Sequence, residues 1–154
     1  MKLSTGLLCC LSLASVSGVV SASDKIFVNK SGDLIVRLSN HDSYRTLSLY
    51  GTGVTNQVAY DLSTGDGEPV WGVLNNVKRN VVIRSNVGTD SVYFDNLQLP
   101  GNVTVITGRG DDNVVLNDTT VAGNVNVKPG GGNDYVEITG TTCLLYTSPS
   151  PRDS

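Results

Sequence analysis

Apolar and polar positions alternate along most of this chain, and from residue 79 to 142 the alternation repeats with a period of about 22 residues. The first row runs from Arg79 to Pro100, the second from Gly101 to Ala122, and a third begins at Gly123. Val81 and Ile83, Val103 and Val105, and Val125 and Val127 share one pair of columns, with polar residues such as Asn102 and Thr104 between them in the second row. A period of two marks a strand with one face buried. A second strand follows in each row, with Val92 and Phe94, Val114 and Leu116, and Val136 and Ile138 facing inward. Leu99 and Val121 mark a short third strand. Self-similarity at such a period is the signature of a solenoid. The pattern predicts an all-β fold: a parallel β-helix (β-solenoid) with about 22 residues per coil.

One such row cannot bury its apolar face alone, so neighbouring rows must stack. Asn80, Asn102 and Asn124 form a column of their own. Stacked amides bond from row to row in other stacked-strand structures, and these three are read as structural.

Residues 24–76 are less regular. Ile26 to Val28 forms a candidate first strand, Leu34, Val36 and Leu38 alternate, and so does Thr46 to Tyr50. Gly51-Thr52-Gly53 is a turn signal. Val58-Ala59-Tyr60 and Val70-Trp71 align with the strands of the first clear row about one period earlier, with Thr64-Gly65-Asp66-Gly67 as a degraded turn. The expectation for residues 23–76 is an N-terminal cap with one or two degenerate coils, since terminal repeats must close the core. The regular repeats occupy residues 77–142.

The two ends have a different character. Residues 1–22 combine Lys2, an apolar run rich in small residues and a Val20-Ser21-Ala22 cleavage site, the form of a secretory signal peptide. The run is too short and too rich in Ser and Gly to span a membrane. At the other end, Cys143 to Asp153 matches one reading frame of a transposon-end adapter used in library preparation. Residues 143–154 are therefore read as a non-native, adapter-derived tail, and the solenoid as truncated at its C-terminus. An open last coil with unpaired strand edges invites self-association. Cys9 and Cys10 fall in the leader and Cys143 in the tail, so residues 23–142 hold no cysteine and the fold does without disulfides.

Charge narrows the function. Residues 23–142 carry 9 Lys and Arg against 13 Asp and Glu. That balance is no nucleic-acid footprint and suits a cation-binding surface protein. The outward residues Thr104, Asn113, Val115 and Asn126 are neutral, and His41 is the single histidine. No acid–base cluster for catalysis is visible outside the turns.

The turns carry the remaining chemistry. Thr107-Gly-Arg-Gly-Asp-Asp-Asn-Val-Val, Pro129-Gly-Gly-Gly-Asn-Asp-Tyr-Val-Glu and, more weakly, Ser85-Asn-Val-Gly-Thr-Asp-Ser-Val-Tyr share one column pattern. This pattern resembles the calcium-binding nonapeptide of RTX-type, hemolysin-like proteins, G-G-x-G-x-D-x-U-x. The resemblance implies that Asp90, Asp112 and Asp134 supply carboxylate ligands to calcium, with carbonyls of Gly108, Gly110, Gly130 and Gly132 completing the shell. Two features depart from that family. Its repeats are tandem nonapeptides, whereas here such a turn recurs once per row, and the first position is Ser, Thr or Pro rather than Gly. Independently of the resemblance, aspartates stacked at the strand spacing of about 5 Å repel one another, and a cation would compensate.

The resulting expectation is a secreted or cell-surface protein, bacterial in origin: a calcium-stabilised, structural or adhesin-like β-solenoid module. Its expected partners are calcium and cell-surface glycans or proteins, with no nucleic acid and no membrane span. The alternative is the N-terminal part of a β-helical polysaccharide lyase or hydrolase whose active site lies outside the recognisable repeats.

Overall fold

The computed structural model describes residues 24–39, 44–65 and 68–148. The signal-peptide reading of residues 1–22, the pair Asp66-Gly67, His41 and the tail from Pro149 onward lie outside the described residues. Among the described residues the fold is all-β, without a helix. None is therefore long and apolar enough to cross a membrane.

The strands in chain order are β1 (Lys25–Val28), β2 (Leu34–Arg37), β3 (Arg45–Gly51), β4 (Gln57–Thr64), β5 (Val70–Asn75), β6 (Val81–Arg84) and β7 (Asp90–Asp95). They continue as β8 (Gln98–Leu99), β9 (Val103–Ile106), β10 (Asn113–Asn117), β11 (Thr120–Val121), β12 (Val125–Lys128), β13 (Tyr135–Thr139) and β14 (Tyr146–Thr147). They form three sheets. One has the order β1-β2-β6-β9-β12-β14, the second β13-β10-β7-β3-β4-β5, and the third pairs β8 with β11. The sheets are mixed, since β1 runs antiparallel to β2, and β4 runs antiparallel to both β3 and β5.

Between rows the pairings are parallel, and from β6 to β13 they keep the sequence period of 22 residues. Val81 pairs with Val103 and Val103 with Val125; Val92 pairs with Val114 and Val114 with Val136; Leu99 pairs with Val121. The five aliphatics expected to face inward in the second row, Val103, Val105, Val114, Leu116 and Val121, are all buried. They join the inward residues of β2, β3, β6 and β7 in one apolar cluster. Each such side chain contributes roughly 1.5–3 kcal/mol by leaving water.

The asparagine column bonds as expected. The Asn102 backbone N–H and Nδ2 both donate to Asn80 Oδ1 at 3.1 Å, and the Asn124 N–H donates to Asn102 Oδ1 at 2.9 Å. The column starts on an acid: Asn80 donates to Asp33 Oδ1 through its N–H and Nδ2. Hydrogen bonds from Asn29, then from the Asn80 backbone, hold the Asp33 carboxyl below its ordinary value.

Two expectations are corrected. Val58 to Tyr60 and Val70-Trp71 do not form the row preceding Arg79. That row is made by β2 and β3, which pair in parallel with β6 and β7. The cause is a chain reversal after β3. The Gln57 N–H donates to the Val54 carbonyl, the Val54 N–H donates to Thr52 Oγ1, and Asn56 takes a left-handed φ of 60°. A turn of that geometry folds β4 back along β3 instead of carrying the chain round to a new row. β5 then packs on β4, where Gly72 leaves room for the buried Tyr60 ring; a Cβ on Gly72 would lie 2.9 Å from the tyrosine hydroxyl.

The second correction concerns the last row. The open last coil expected from the sequence is partly closed: β14 pairs with β12, Cys143 packs on the core, and Val125 and Val127 are fully buried. Val136 and Ile138 do remain partly exposed on β13, an edge strand.

Candidate metal centre

The repeated turns span residues 85–90, 107–112 and 129–134 and stack through their own backbone. Val87 bridges Arg109, and Arg109 bridges Gly131. The Gly131 N–H donates to the Gly108 carbonyl, the Gly110 N–H to the Gly131 carbonyl and the Gly88 N–H to the Arg109 carbonyl, each at 2.9 Å. Gly108, Gly110, Gly130 and Gly132 all have φ between 101° and 139°. This left-handed backbone, pressed against the turn of the neighbouring row, is why glycine recurs here.

The three aspartates are brought together as a column. The Asp90 N–H donates to Asp112 Oδ1 at 2.8 Å, and the Asp112 N–H donates to Asp134 Oδ1 at 3.1 Å. Each carboxylate of the later row thus caps the backbone of the row before it, as Asx side chains do within single turns. Ser85 Oγ donates to Asp90 Oδ2, and Thr107 Oγ1 donates to the Pro129 carbonyl at 2.7 Å.

Asp90 and Asp112 are buried, at 1% and 2% exposure, and Asp134 is half-buried. Burial pushes the Asp90 carboxyl above its ordinary value; the Ser85 hydrogen bond opposes this and the Asp112 charge adds to it. Burial likewise raises Asp112, opposed by Thr107 and the Asp90 N–H, and reinforced by the charges of Asp134 and Asp111. One oxygen on each of the two buried carboxyls, Asp90 Oδ1 and Asp112 Oδ2, has no hydrogen-bond partner. A buried carboxylate with an unpaired oxygen is costly, and the arrangement is relieved either by a proton or by a cation.

The column closes at its N-terminal end on protein charge. Arg45 stands in register with Asp90, one row earlier, and is 3% exposed. Its Nη2 lies 3.6 Å from Asp24 Oδ1 and donates to Ser39 Oγ at 2.9 Å, while Nη1 donates to the Ser39 carbonyl. Neither Asp24 nor Arg45 was singled out by the repeat, because both precede it. The signal was parity: Arg45 falls on the inward face of a strand whose Leu47 and Leu49 also point inward.

The oxygens named by the calcium resemblance are partly committed. Asp112 Oδ1, Asp134 Oδ1 and the Gly108 carbonyl already accept protein N–H groups. Among the described residues no three His, Cys, Asp or Glu side chains converge as a metal-holding group. The carboxylate oxygens left uncommitted in successive rows are Asp90 Oδ1 and Asp112 Oδ2. Comparison of the chain with protein-family models, with curated proteins and with solved structures finds no match.

Proposed function

We propose that the chain is a parallel β-helical repeat module of a secreted or cell-surface protein, with RTX-like turns, and that it binds rather than catalyses. The observation that supports this most is the constancy of register. Three separate strand columns advance by one full sequence period per row, so the molecule extends by adding identical layers. Such an architecture presents long, regular faces and suits adhesion or structural display. Among the described residues, acids outside the turns are taken up by neutral partners: Asp95 accepts from Asn117 Nδ2, and Glu137 accepts from the Tyr135 and Thr139 hydroxyls. Incubated with a panel of polysaccharides, the purified chain is expected to release no new reducing or unsaturated ends. Turnover of any member would overturn the non-catalytic reading.

Calcium belongs to the same proposal as a stabiliser of the stacked turns. Asp90 Oδ1 and Asp112 Oδ2 would contribute to its shell, and carbonyls of the glycine turns would supply further oxygens toward the six to eight that calcium takes. A ligand that binds only the folded state raises the melting temperature with its concentration. The chain is therefore expected to melt higher as calcium rises from micromolar to millimolar. An unchanged melting curve and no heat on titration would leave the buried carboxyls to be relieved by protons alone.

A further inference from the structure

The sheet β5-β4-β3-β7-β10-β13 turns one face to the core and the other to solvent. Its outer face has an unusual composition. Trp71, on the edge strand β5, is 77% exposed, and Tyr135, on the opposite edge strand, is 56% exposed. Tyr50 and Tyr93 lie between them on β3 and β7. The remaining outward positions of these six strands are hydroxyls, amides, the acids Asp61, Asp95 and Glu137, and small or β-branched aliphatics. None is Lys or Arg. The outward cations sit instead on the other large sheet, as Arg37, Arg84 and Lys128.

The register sets the spacing. Trp71 pairs with Asp61, Asp61 with Ser48, Ser48 with Tyr93, Tyr93 with Val115 and Val115 with Glu137. Trp71 and Tyr93 therefore stand in one row, three strand spacings or about 14 Å apart. Tyr135 lies two strands beyond Tyr93, displaced by two residues along the strand. From edge to edge the face is about 24 Å wide.

Hydrogen bonds lay two of the tyrosines down. Asn113 Nδ2, on the neighbouring strand, donates to the Tyr93 hydroxyl at 3.0 Å, so the Tyr93 ring reaches across the sheet toward β10. The Tyr135 hydroxyl donates to Glu137 Oε2 at 2.9 Å, which draws that ring along its own strand. Tyr50 pairs with Ala59, two residues from Asp61 on the neighbouring strand; burial, and then the Asp61 charge, raise the Tyr50 hydroxyl above its ordinary value.

Flat aromatic faces interleaved with carboxylates and amides match the two surfaces of a sugar ring. The apolar C–H face of a pyranose stacks on an aromatic ring, and its equatorial hydroxyls donate to carboxylate and amide oxygens. We infer that this face binds an uncharged polysaccharide, with Trp71, Tyr93 and Tyr135 as the stacking platform and Asp61, Asp95 and Glu137 as hydroxyl acceptors. The inference deepens the binding-module reading proposed above and rests on it. The absence of Lys and Arg argues against a polyanion, whether nucleic acid or acidic glycan, because such partners need phosphate- or carboxylate-neutralising charge. An anionic lipid surface fails for the same reason. The width of the face favours a polymer over a single sugar. The groove lined by Gly51 to Gln57, Asn96 and Thr120 lies off this face and offers no comparable set of rings.

Affinity electrophoresis of the full chain tests the inference, in native gels cast with neutral polysaccharides (a β-glucan, a mannan, starch) and with alginate as the polyanion. Retardation is expected in at least one neutral gel and not in alginate. Trp71→Ala should weaken it roughly tenfold or more, as loss of a stacked ring does elsewhere. Trp71→Phe, which keeps a ring, should retain most of it. Trp71 is mostly in solvent, so both variants are expected to melt like the parent, and a melting curve confirms it. No retardation in any neutral gel, retardation indifferent to Trp71→Ala, or preference for alginate would each overturn the inference. So would self-association by sedimentation that Trp71→Ala abolishes, since a second copy would then be the occupant. None of these results touches the non-catalytic reading, which fails only on turnover.

Discussion

Gly110→Ala is expected to melt far below the parent, while Gly131→Ala, in the next row's turn, is expected to melt within a degree or two of it. The contrast follows from the stacking of the turns. A Cβ on Gly110 would lie 2.1 Å from the Gly88 carbonyl oxygen and 2.7 Å from its carbon. Both are backbone atoms of the preceding row, so no rotamer relieves the overlap. The φ of 137° adds strain of about 1–2 kcal/mol for any L side chain. Separating the rows to make room would break the Gly88 N–H bond to the Arg109 carbonyl and the Arg109 N–H bond to the Asn86 carbonyl. It would also loosen the Asp90–Asp112 bond beside them. The combined cost is expected to exceed roughly 4 kcal/mol, a large share of what a domain of this size can lose. At Gly131 no neighbouring atom lies within 4 Å of where an alanine methyl would sit, and the backbone is not left-handed, so alanine is accommodated. Far-ultraviolet circular dichroism and thermal melts of the two variants decide the matter. Equal melting temperatures would mean that the turns do not stack as closely as described.

Much of this architecture is legible in the residue columns because each column is a physical contact. Val81, Val103 and Val125 recur once per row because they are paired neighbours on adjacent strands, and a smaller or polar residue in the column would leave a void or bury a polar group. The asparagine column was legible for the same reason. Residues 45–75 were not, because β4 and β5 also alternate with a period of two, and alternation says strand without saying parallel or antiparallel. The decision rests with the short turn after β3, where Thr52 and the left-handed Asn56 reverse the chain. At the turns, the sequence pattern located Asp90, Asp112 and Asp134 in one column but was silent on what their oxygens face. Direction of bonding decides that: Asp112 Oδ1 and Asp134 Oδ1 point back to the previous row's N–H, Asp90 Oδ2 takes the Ser85 hydroxyl, and the second oxygen of Asp90 and of Asp112 is left orphaned. Arg45 escaped notice because a lone inward cation has no periodic partner.

Asp112→Asn separates the two ways of relieving the buried carboxyls. Asparagine keeps the Oδ1 that accepts the Asp90 N–H, and its Nδ2 replaces the orphaned Oδ2 with a donor near the Thr107 hydroxyl oxygen. It also removes a buried charge flanked by Asp90 and Asp134. In chelator at neutral pH the variant is therefore expected to be more stable than the parent, by roughly 1–3 kcal/mol or several degrees in melting temperature. The pH dependence has a definite sign. Asp90 and Asp112 both have folded pKa values raised above the ordinary 3.8, so their protonated forms favour the fold. The stability they contribute is complete below 3.8 and is lost as pH rises through their raised values. Asp33 has the opposite shift: its contribution is present above 3.8 and is lost as pH falls through its depressed value. The parent in chelator should thus gain stability on acidification from neutrality toward pH 4 and lose it again in stronger acid. Asp112→Asn should flatten the first limb and leave the second untouched. If calcium binds as proposed, saturating calcium is expected to reverse the ranking, because the amide is a poorer ligand than the carboxylate: the parent should gain melting temperature and the variant little. A variant less stable than the parent in chelator, across the whole pH range, would show that the Asp112 charge is already compensated within the protein, by Arg45 or by another group, and would remove the reason for a cation at these turns.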